Sequence, residues 1–284
     1  MWRKRLFQLS IVLMTLVWFP GGGMEPFGRT AFAQIPRPAS QTFDSATENS
    51  LKELRRLVSS GNREAVRKKL DQIIQGSGYI APLAPVYYQM AQNETNAAGL
   101  VDLYITLIDK WTTSAWAQKA VIELAPLILM SRGSLGTAVE SLIWKREAVL
   151  LTPAKDAAEV GEDPQILCAD VFLNLLQLAH YRNDILRVQS LAQKVPEKAK
   201  SAQDQIDLAL AYAALRSENK PQAQQALQNW INQYPGSKFL PLAYYALFLA
   251  ADNTPRMESA LQTLVKTYPD NLVTFLLREA LGQQ

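Results

Sequence analysis

The sequence predicts an all-α protein, an α-solenoid of antiparallel helix pairs, on three observations. The first is an internal repeat. Residues 229–236 and 263–270 sit 34 positions apart, so that Ala226 matches Ala260, Leu227 matches Leu261, Trp230 matches Leu264, Ile231 matches Val265 and Tyr234-Pro235 matches Tyr268-Pro269. That is the length of one helix-turn-helix repeat. The second is apolar spacing of three and four residues along nearly the whole chain, with no period-two run long enough for a sheet. The third is punctuation: Pro221 and Pro255 stand at expected helix starts, where a missing N–H costs little. A helix pair of this size cannot bury its apolar stripe alone, so stacked pairs offering a face to a partner are expected.

The N-terminus reads as an export signal. Met1-Trp-Arg-Lys-Arg5 is basic, residues 6–19 are mostly apolar, Pro20 and Gly21-Gly22-Gly23 break the run, and Ala31-Phe32-Ala33 precedes Gln34. That order is the pattern of a secretory signal peptide cut after Ala33. The apolar run is shorter than the about 20 residues of a spanning helix; a retained anchor, and membrane association with it, is the rival reading. No cysteine lies near the cut, so no lipid anchor is expected, and the mature chain is placed in the periplasm or another exported compartment.

Export removes the apparent basicity. Of 29 basic and 26 acidic residues, the first 33 hold Arg3, Lys4, Arg5, Arg29 and Glu25, which leaves 25 of each sign. A neutral mature chain gives no ground for a nucleic-acid partner. Cys168 is the only cysteine, so no intrachain disulfide is possible. It shares a helical face with Phe172, Leu175 and Leu176, as a packed thiol would.

Taken in order, an extended polar segment at 34–48 precedes helical spacing at Leu51, Leu54, Leu57 and Val58. Gly61-Asn62 ends that helix, and Val66, Leu70, Ile73 and Ile74 resume the period. Arg67-Lys68-Lys69, beside Glu64 and Asp71, reads as a solvated face. Gly76-Ser77-Gly78 is a break. Helices are expected at 80–92 and 97–110, the latter with Leu100, Leu103, Tyr104 and Leu107 as its stripe. Its end, Trp111 to Ser114, resembles Tyr234 to Ser237: an aromatic closes one helix and a serine three residues on caps the next.

Pro126 is expected to kink or end the helix over 121–130. A long helix at 135–151 leads into an acidic, small-residue loop up to Pro164. Helices then follow at 165–180, 184–194, 202–216, 221–234, 238–251, 255–268 and 271–281. The domain reading is an export signal (1–33), an extended segment (34–48), irregular helical repeats (49–201) and regular repeats (202–284). The last helix, with Leu272, Phe275 and Leu276 as its stripe, is expected to cap the array.

Residues 202–282 resemble the tetratricopeptide repeat (TPR) family. In the unit closing at Pro235, Leu210 and Ala211 match the family's Leu-Gly pair, and Ala223, Leu227 and Trp230 match the inward positions of the second helix. In the next unit Phe248 fits the aromatic position of the first helix, Leu261 and Leu264 fit the second, and Pro269 closes it. There are departures. Tyr245 stands where a small residue is expected, Met257 and Trp230 stand where alanine is, and Ala214 stands where the first unit's aromatic is due. The resemblance implies a right-handed superhelix that binds a protein or peptide, similar to exported bacterial members that accompany outer-membrane assembly or cell-wall machinery.

Chemistry has little to build on. His180, the only histidine, lies twelve residues beyond Cys168, about 18 Å along a straight helix, so the two form no local dyad. One His and one Cys leave little for zinc. His180 is expected to cap the C-terminus of its helix. Gly133-Ser-Leu-Gly136 lacks the lysine and strand context of a nucleotide loop. Glu140-Ser141 resembles the acid-serine pair of lytic transglycosylases. The family's Gly-Leu-Met-Gln segment is absent, and Glu140 is expected on the wet face opposite Leu142 and Ile143. No catalytic, cofactor-binding or metal residue is assigned.

The expected function is a non-catalytic exported scaffold or adaptor for a protein or peptide. The segment 239–250 is apolar almost all round, as a core helix would be; its rings Tyr244, Tyr245 and Phe248 are the candidates for a partner groove. An accessory domain of a cell-wall-active hydrolase or lyase, and a spacer tethered by residues 6–19, stand as alternatives.

Overall fold

The computed structural model describes residues 43–281 apart from 131–133, 217–218 and 252–253. The export-signal reading lies outside the described residues. Within them the chain is all-α, with thirteen α-helices, three 3₁₀ turns and no strand. It divides into two compact units between Asn174 and Leu175.

The first unit holds α1 (Ser45–Ser59), α2 (Arg63–Ser77), α3 (Ala84–Gln92), α4 (Ala97–Lys110), α5 (Ala115–Met130), α6 (Ser134–Leu150) and the start of α7 (Pro164–Tyr181). Here α1 packs on α2, α3 on α4, α4 on α5 and α5 on α6. The helix begins at Ser45 rather than after Glu48, because Asp44 accepts from Thr47 N at 2.6 Å and caps it. Its polar first turn reads as coil until that cap is seen. Likewise α2 runs on through Gly76, and only Gly78, at φ +72°, breaks it. Pro126 does not end its helix: α5 continues to Met130. Burial of Leu124, Ala125, Ile128 and Leu129 offsets the lost backbone bond.

The acidic loop after α6 belongs to this unit's core. Asp156 Oδ1 accepts from Ala115 N at 2.7 Å, capping α5 from across the chain. Gln118 Nε2 donates to the carbonyls of Leu150 (2.8 Å) and Thr152 (2.9 Å). Ala154 and Ala157 pack with Ala115 and Leu167 beneath. Cys168 is buried, its Sγ donating to Leu151 O at 3.1 Å, and burial pushes the thiol up in pKa. Between α3, α4 and α5, Glu123 accepts from both Tyr88 and Tyr104 and from Gln92 Nε2 at 2.5 Å.

The second unit holds the end of α7, α8 (Ile185–Ala192), α9 (Gln203–Arg216), α10 (Lys220–Gln233), α11 (Leu240–Ala250), α12 (Thr254–Thr267) and α13 (Leu272–Leu281). Each of α8 to α11 packs on the next, and α9 also meets α11 as α11 meets α13. The sequence period is now a structural one. Both ends of α10 and α12 are 34 residues apart, and so are the C-terminal ends of α9 and α11.

The junctions repeat their hydrogen bonds as well. Tyr234 N donates to Trp230 O (2.9 Å) and Ser237 N to Tyr234 O (3.1 Å), as Tyr268 N does to Leu264 O (2.9 Å) and Asn271 N to Tyr268 O (3.2 Å). The first unit shows the same pattern at Trp111 N to Leu107 O (3.0 Å) and Ser114 N to Trp111 O (2.8 Å). Ser114 and Asn271 then cap the following helix from their side chains, while Ser237 Oγ accepts from Phe239 N at 3.1 Å in the turn before α11, which has no side-chain cap. The serine expected from sequence has an asparagine as its equivalent in the last copy.

Of the repeat-packing positions, Ala211, Ala223, Leu227, Trp230 and Leu264 are buried, and Leu210 and Leu261 are half-buried. Pro235 and Pro269 lie exposed at the junctions. Two expectations are corrected. His180 is 4 % exposed and does not serve as a charged cap, since burial and Arg216 lower its pKa to about 3. Arg216 takes that role, its Nη1 donating to His180 O at 2.7 Å and to Asn183 Oδ1 at 3.1 Å. The inward stripe of α13 is Val273 and Leu277, while Leu272 and Phe275 are 43 % and 57 % exposed. No described helix is long and apolar enough to cross a membrane.

Candidate binding groove

In the second unit a groove of about 320 Å³ opens over α9, between α8 and α10. Its floor is Leu210, Ala211 and Ala214 with Ala226 and Trp230; its walls carry Ile185 and Gln189 from α8 and Gln222, Asn229 and Gln233 from α10. The same floor positions one repeat on are Tyr244, Tyr245 and Phe248, 34 residues from Leu210, Ala211 and Ala214. Tyr245 and Phe248 are only 1 % and 4 % exposed. Two alanines leave open the space that two rings fill next door.

The walls differ in the same sense. Gln189 and Gln224 each stand five residues beyond a helix N-cap, Asp184 and Asn219 respectively. Gln222 and Arg256 are 34 residues apart at the matching place on the facing helices. Between α10 and α12, Arg256 Nη1 donates to Gln224 Oε1 at 2.5 Å, and Gln224 Nε2 donates to Ala250 O at 2.8 Å. That bridge crosses the repeat next door. The exposed Gln189 and Gln222 stand in its place beside the open groove.

A rigid polar lattice holds the groove's far end. Asp207 accepts from Gln203 Nε2 at 2.8 Å on one oxygen and from Tyr234 OH at 2.5 Å on the other. Burial, with the Asp207 carboxylate beside it, pushes the Tyr234 phenol up to about 12. Asp204 accepts from Ser237 Oγ at 2.6 Å through its carboxylate and from Trp230 Nε1 at 2.7 Å through its carbonyl. These bonds fix α9, α10 and the start of α11 to one another, so the groove is preformed rather than assembled on binding.

The rings Tyr244, Tyr245 and Phe248 thus stand one repeat beyond the residues that floor this groove. Tyr245 and Phe248 are core, and of the three only Tyr244 keeps surface, its ring 6.3 Å from that of Tyr268. Leu210, Ala211 and Trp230, read as packing residues, line the groove. Gln189, Gln222, Asn229 and Gln233 were not singled out from sequence; the signal that pointed near them was Ala214 in an aromatic position. Glu140 is half-buried and accepts from Trp144 Nε1 at 3.2 Å. A second hollow of about 200 Å³ lies in the first unit, over Val66, Val86 and Met90. On its rim Arg67 pairs with Glu94 at 2.9 Å and Arg63 donates to Asn93 O. Among the described residues no group of three or more His, Cys, Asp and Glu is placed to hold a metal.

No family model, curated protein or solved structure matches the chain. Function is therefore read from the groove itself.

Proposed function

We propose that this chain is a divergent, exported TPR-type array that acts as a non-catalytic adaptor, holding a protein or peptide partner in the α8–α10 groove. The observation that carries the reading is the pairing of Ala211 and Ala214 with Tyr245 and Phe248 across one repeat. A fold that fills this position in one copy and leaves it open in the next, beside a locked polar wall, has a preformed concavity of the kind ligands use. The 34-residue offset of helix ends and the repeated aromatic junctions support the TPR-type assignment. The basic-apolar-small N-terminal order supports export, and envelope or cell-wall assembly is the setting we propose for the partner.

The test is site-specific photocrosslinking in the native envelope, with the crosslinker at Gln222 and with Ala214→Phe as the groove-filling control. A protein adduct that disappears when Ala214→Phe is added supports the adaptor. An adduct that persists unchanged places recognition on another face. N-terminal sequencing of the mature protein checks export, and an intact Met1 would overturn that part.

A further inference from the structure

The hollow in the first unit has a counterpart on the surface of the same unit. Val58, Val66, Val86 and Met90 form its apolar lining, and its volume is about 200 Å³. A cavity of about 150 Å³ takes a six-carbon ring, so this one has room for a single apolar side chain. The charge around it is positive. Glu94 is fully engaged, its Oε1 accepting from Thr95 N at 3.0 Å and Asn96 N at 3.1 Å, and its Oε2 from Arg67. Glu64 and Lys68, both exposed on α2, offset one another. Arg63 is exposed at the mouth and donates to a neutral group, the Asn93 carbonyl. A guanidinium carries five N–H donors, so Arg63 can still receive a carboxylate.

Ile166 has the complementary form. It stands 45 % exposed on the first turn of α7, with Glu162 and Asp163 before it and Asp170 one turn after it. Lys119 pairs with Glu162 at 3.1 Å, which leaves the surroundings of this knob net acidic. Asp163 is spent on capping α7, its Oδ1 accepting from Gln165 N at 2.7 Å and Ile166 N at 3.1 Å. Asp170 is the exposed carboxylate that remains. Among the described residues, Ile166 is the one exposed large apolar side chain with carboxylates three or four positions away on both sides. Val149 instead follows Lys145 and Arg146, Leu186 follows Arg182, and Lys110 lies over the Tyr79 ring. We infer that Ile166 of one copy of this chain inserts into the Val66, Val86 and Met90 hollow of a second copy, with Asp170 facing Arg63. Each copy carries one knob and one hollow, so the contact is head-to-tail and can repeat along a row of copies. It lies apart from the α8–α10 groove and does not depend on what that groove holds.

A contact built on one knob is small, so the association is weak and concentration-dependent. Analytical ultracentrifugation of the full chain, over a dilution series up to about 1 mM, is expected to show the average mass rising with concentration. Ile166→Ser, at an exposed position, should raise the dissociation constant about tenfold. Arg63→Glu and Asp170→Arg should each abolish the rise, since like charges then meet across the contact. An equal mixture of those two variants should restore it. There the native hollow of one meets the native knob of the other, and the reversed hollow meets the reversed knob. Circular dichroism checks that all three variants stay helical. A mass that remains that of one chain up to about 1 mM overturns the inference and leaves the hollow to a foreign acidic segment. Association that persists through both reversals, or that the mixture fails to restore, overturns it as well and puts any self-contact elsewhere.

Discussion

Ala214 in α9 and Phe248 in α11 occupy the same position of consecutive repeats, and the exchange of methyl for ring decides whether a groove exists there. Phe248 is 4 % exposed and fills its site; Ala214 floors an open one. Substitutions at the two sites should therefore have opposite signatures. Phe248→Ala leaves a cavity in a packed core and should cost about 3–5 kcal/mol. Ala214→Phe places a ring in solvent-filled space and should change stability by less than about 1 kcal/mol. Urea unfolding of both variants measures this. An equal loss at the two sites would mean that Ala214 is packed as tightly as Phe248 and that the groove is not open space.

The repeat was legible in sequence because its punctuation is local. An aromatic at the helix end and a polar residue three positions on act within one turn, and their backbone bonds repeat at Trp111–Ser114, Tyr234–Ser237 and Tyr268–Asn271. The groove was less legible because it depends on what a position lacks. Ala214 and Tyr245 both registered as departures, but whether a departure opens or closes space depends on how the neighbouring helices pack around it, which local spacing does not state. The segment 239–250, apolar all round, gave no clue to which ring was core. Pro126 and Asp44 show the same limit from the other side, where tertiary burial and a cap decided a boundary that local composition left ambiguous.

His180 should tie stability to acid pH. Its folded pKa, lowered to about 3, lies below the ordinary value near 6.5, so the folded chain holds it neutral. Its contribution is present above pH 6.5 and is lost as pH falls toward 3, because the unfolded chain takes up the proton first. Between those limits one proton per molecule gives a slope of about 1.4 kcal/mol per pH unit. Comparing urea unfolding of the native chain and His180→Gln at pH 4.5 and 7.5 isolates it. An unchanged pH dependence in the variant would show that carboxylates alone set the acid limit.

Tyr234 should act at the alkaline end. Its folded pKa is raised to about 12 against about 10 in the unfolded chain, so the folded state retains the proton longer. Stability is then full below pH 10 and falls as pH rises toward 12. Tyr234→Phe should flatten part of that fall while lowering stability at neutral pH, since Asp207 loses a donor. Tyr87, pushed to about 12 by burial in the first unit, keeps its share of the alkaline loss in the variant. Absorbance titration at 295 nm, read beside the unfolding curves, separates the two.

Asp156 offers a test of the loop's place in the first unit. Its carboxylate caps α5 at Ala115 from 41 residues away, a bond that joins those of Gln118 and Lys119 in fastening the loop after α6 to the start of α5. Asp156→Ala removes a helix N-cap acceptor and should cost about 0.5–2 kcal/mol, whereas Asp156→Asn keeps an acceptor and should cost less. Neither change touches the α8–α10 groove, so partner crosslinking at 25 °C should survive both. If Asp156→Ala instead destroyed crosslinking while the chain remained folded, the recognition surface would have to include the first unit. Equal stability of Asp156→Ala and the native chain would instead mean that Gln118, through Leu150 O and Thr152 O, holds the loop by itself.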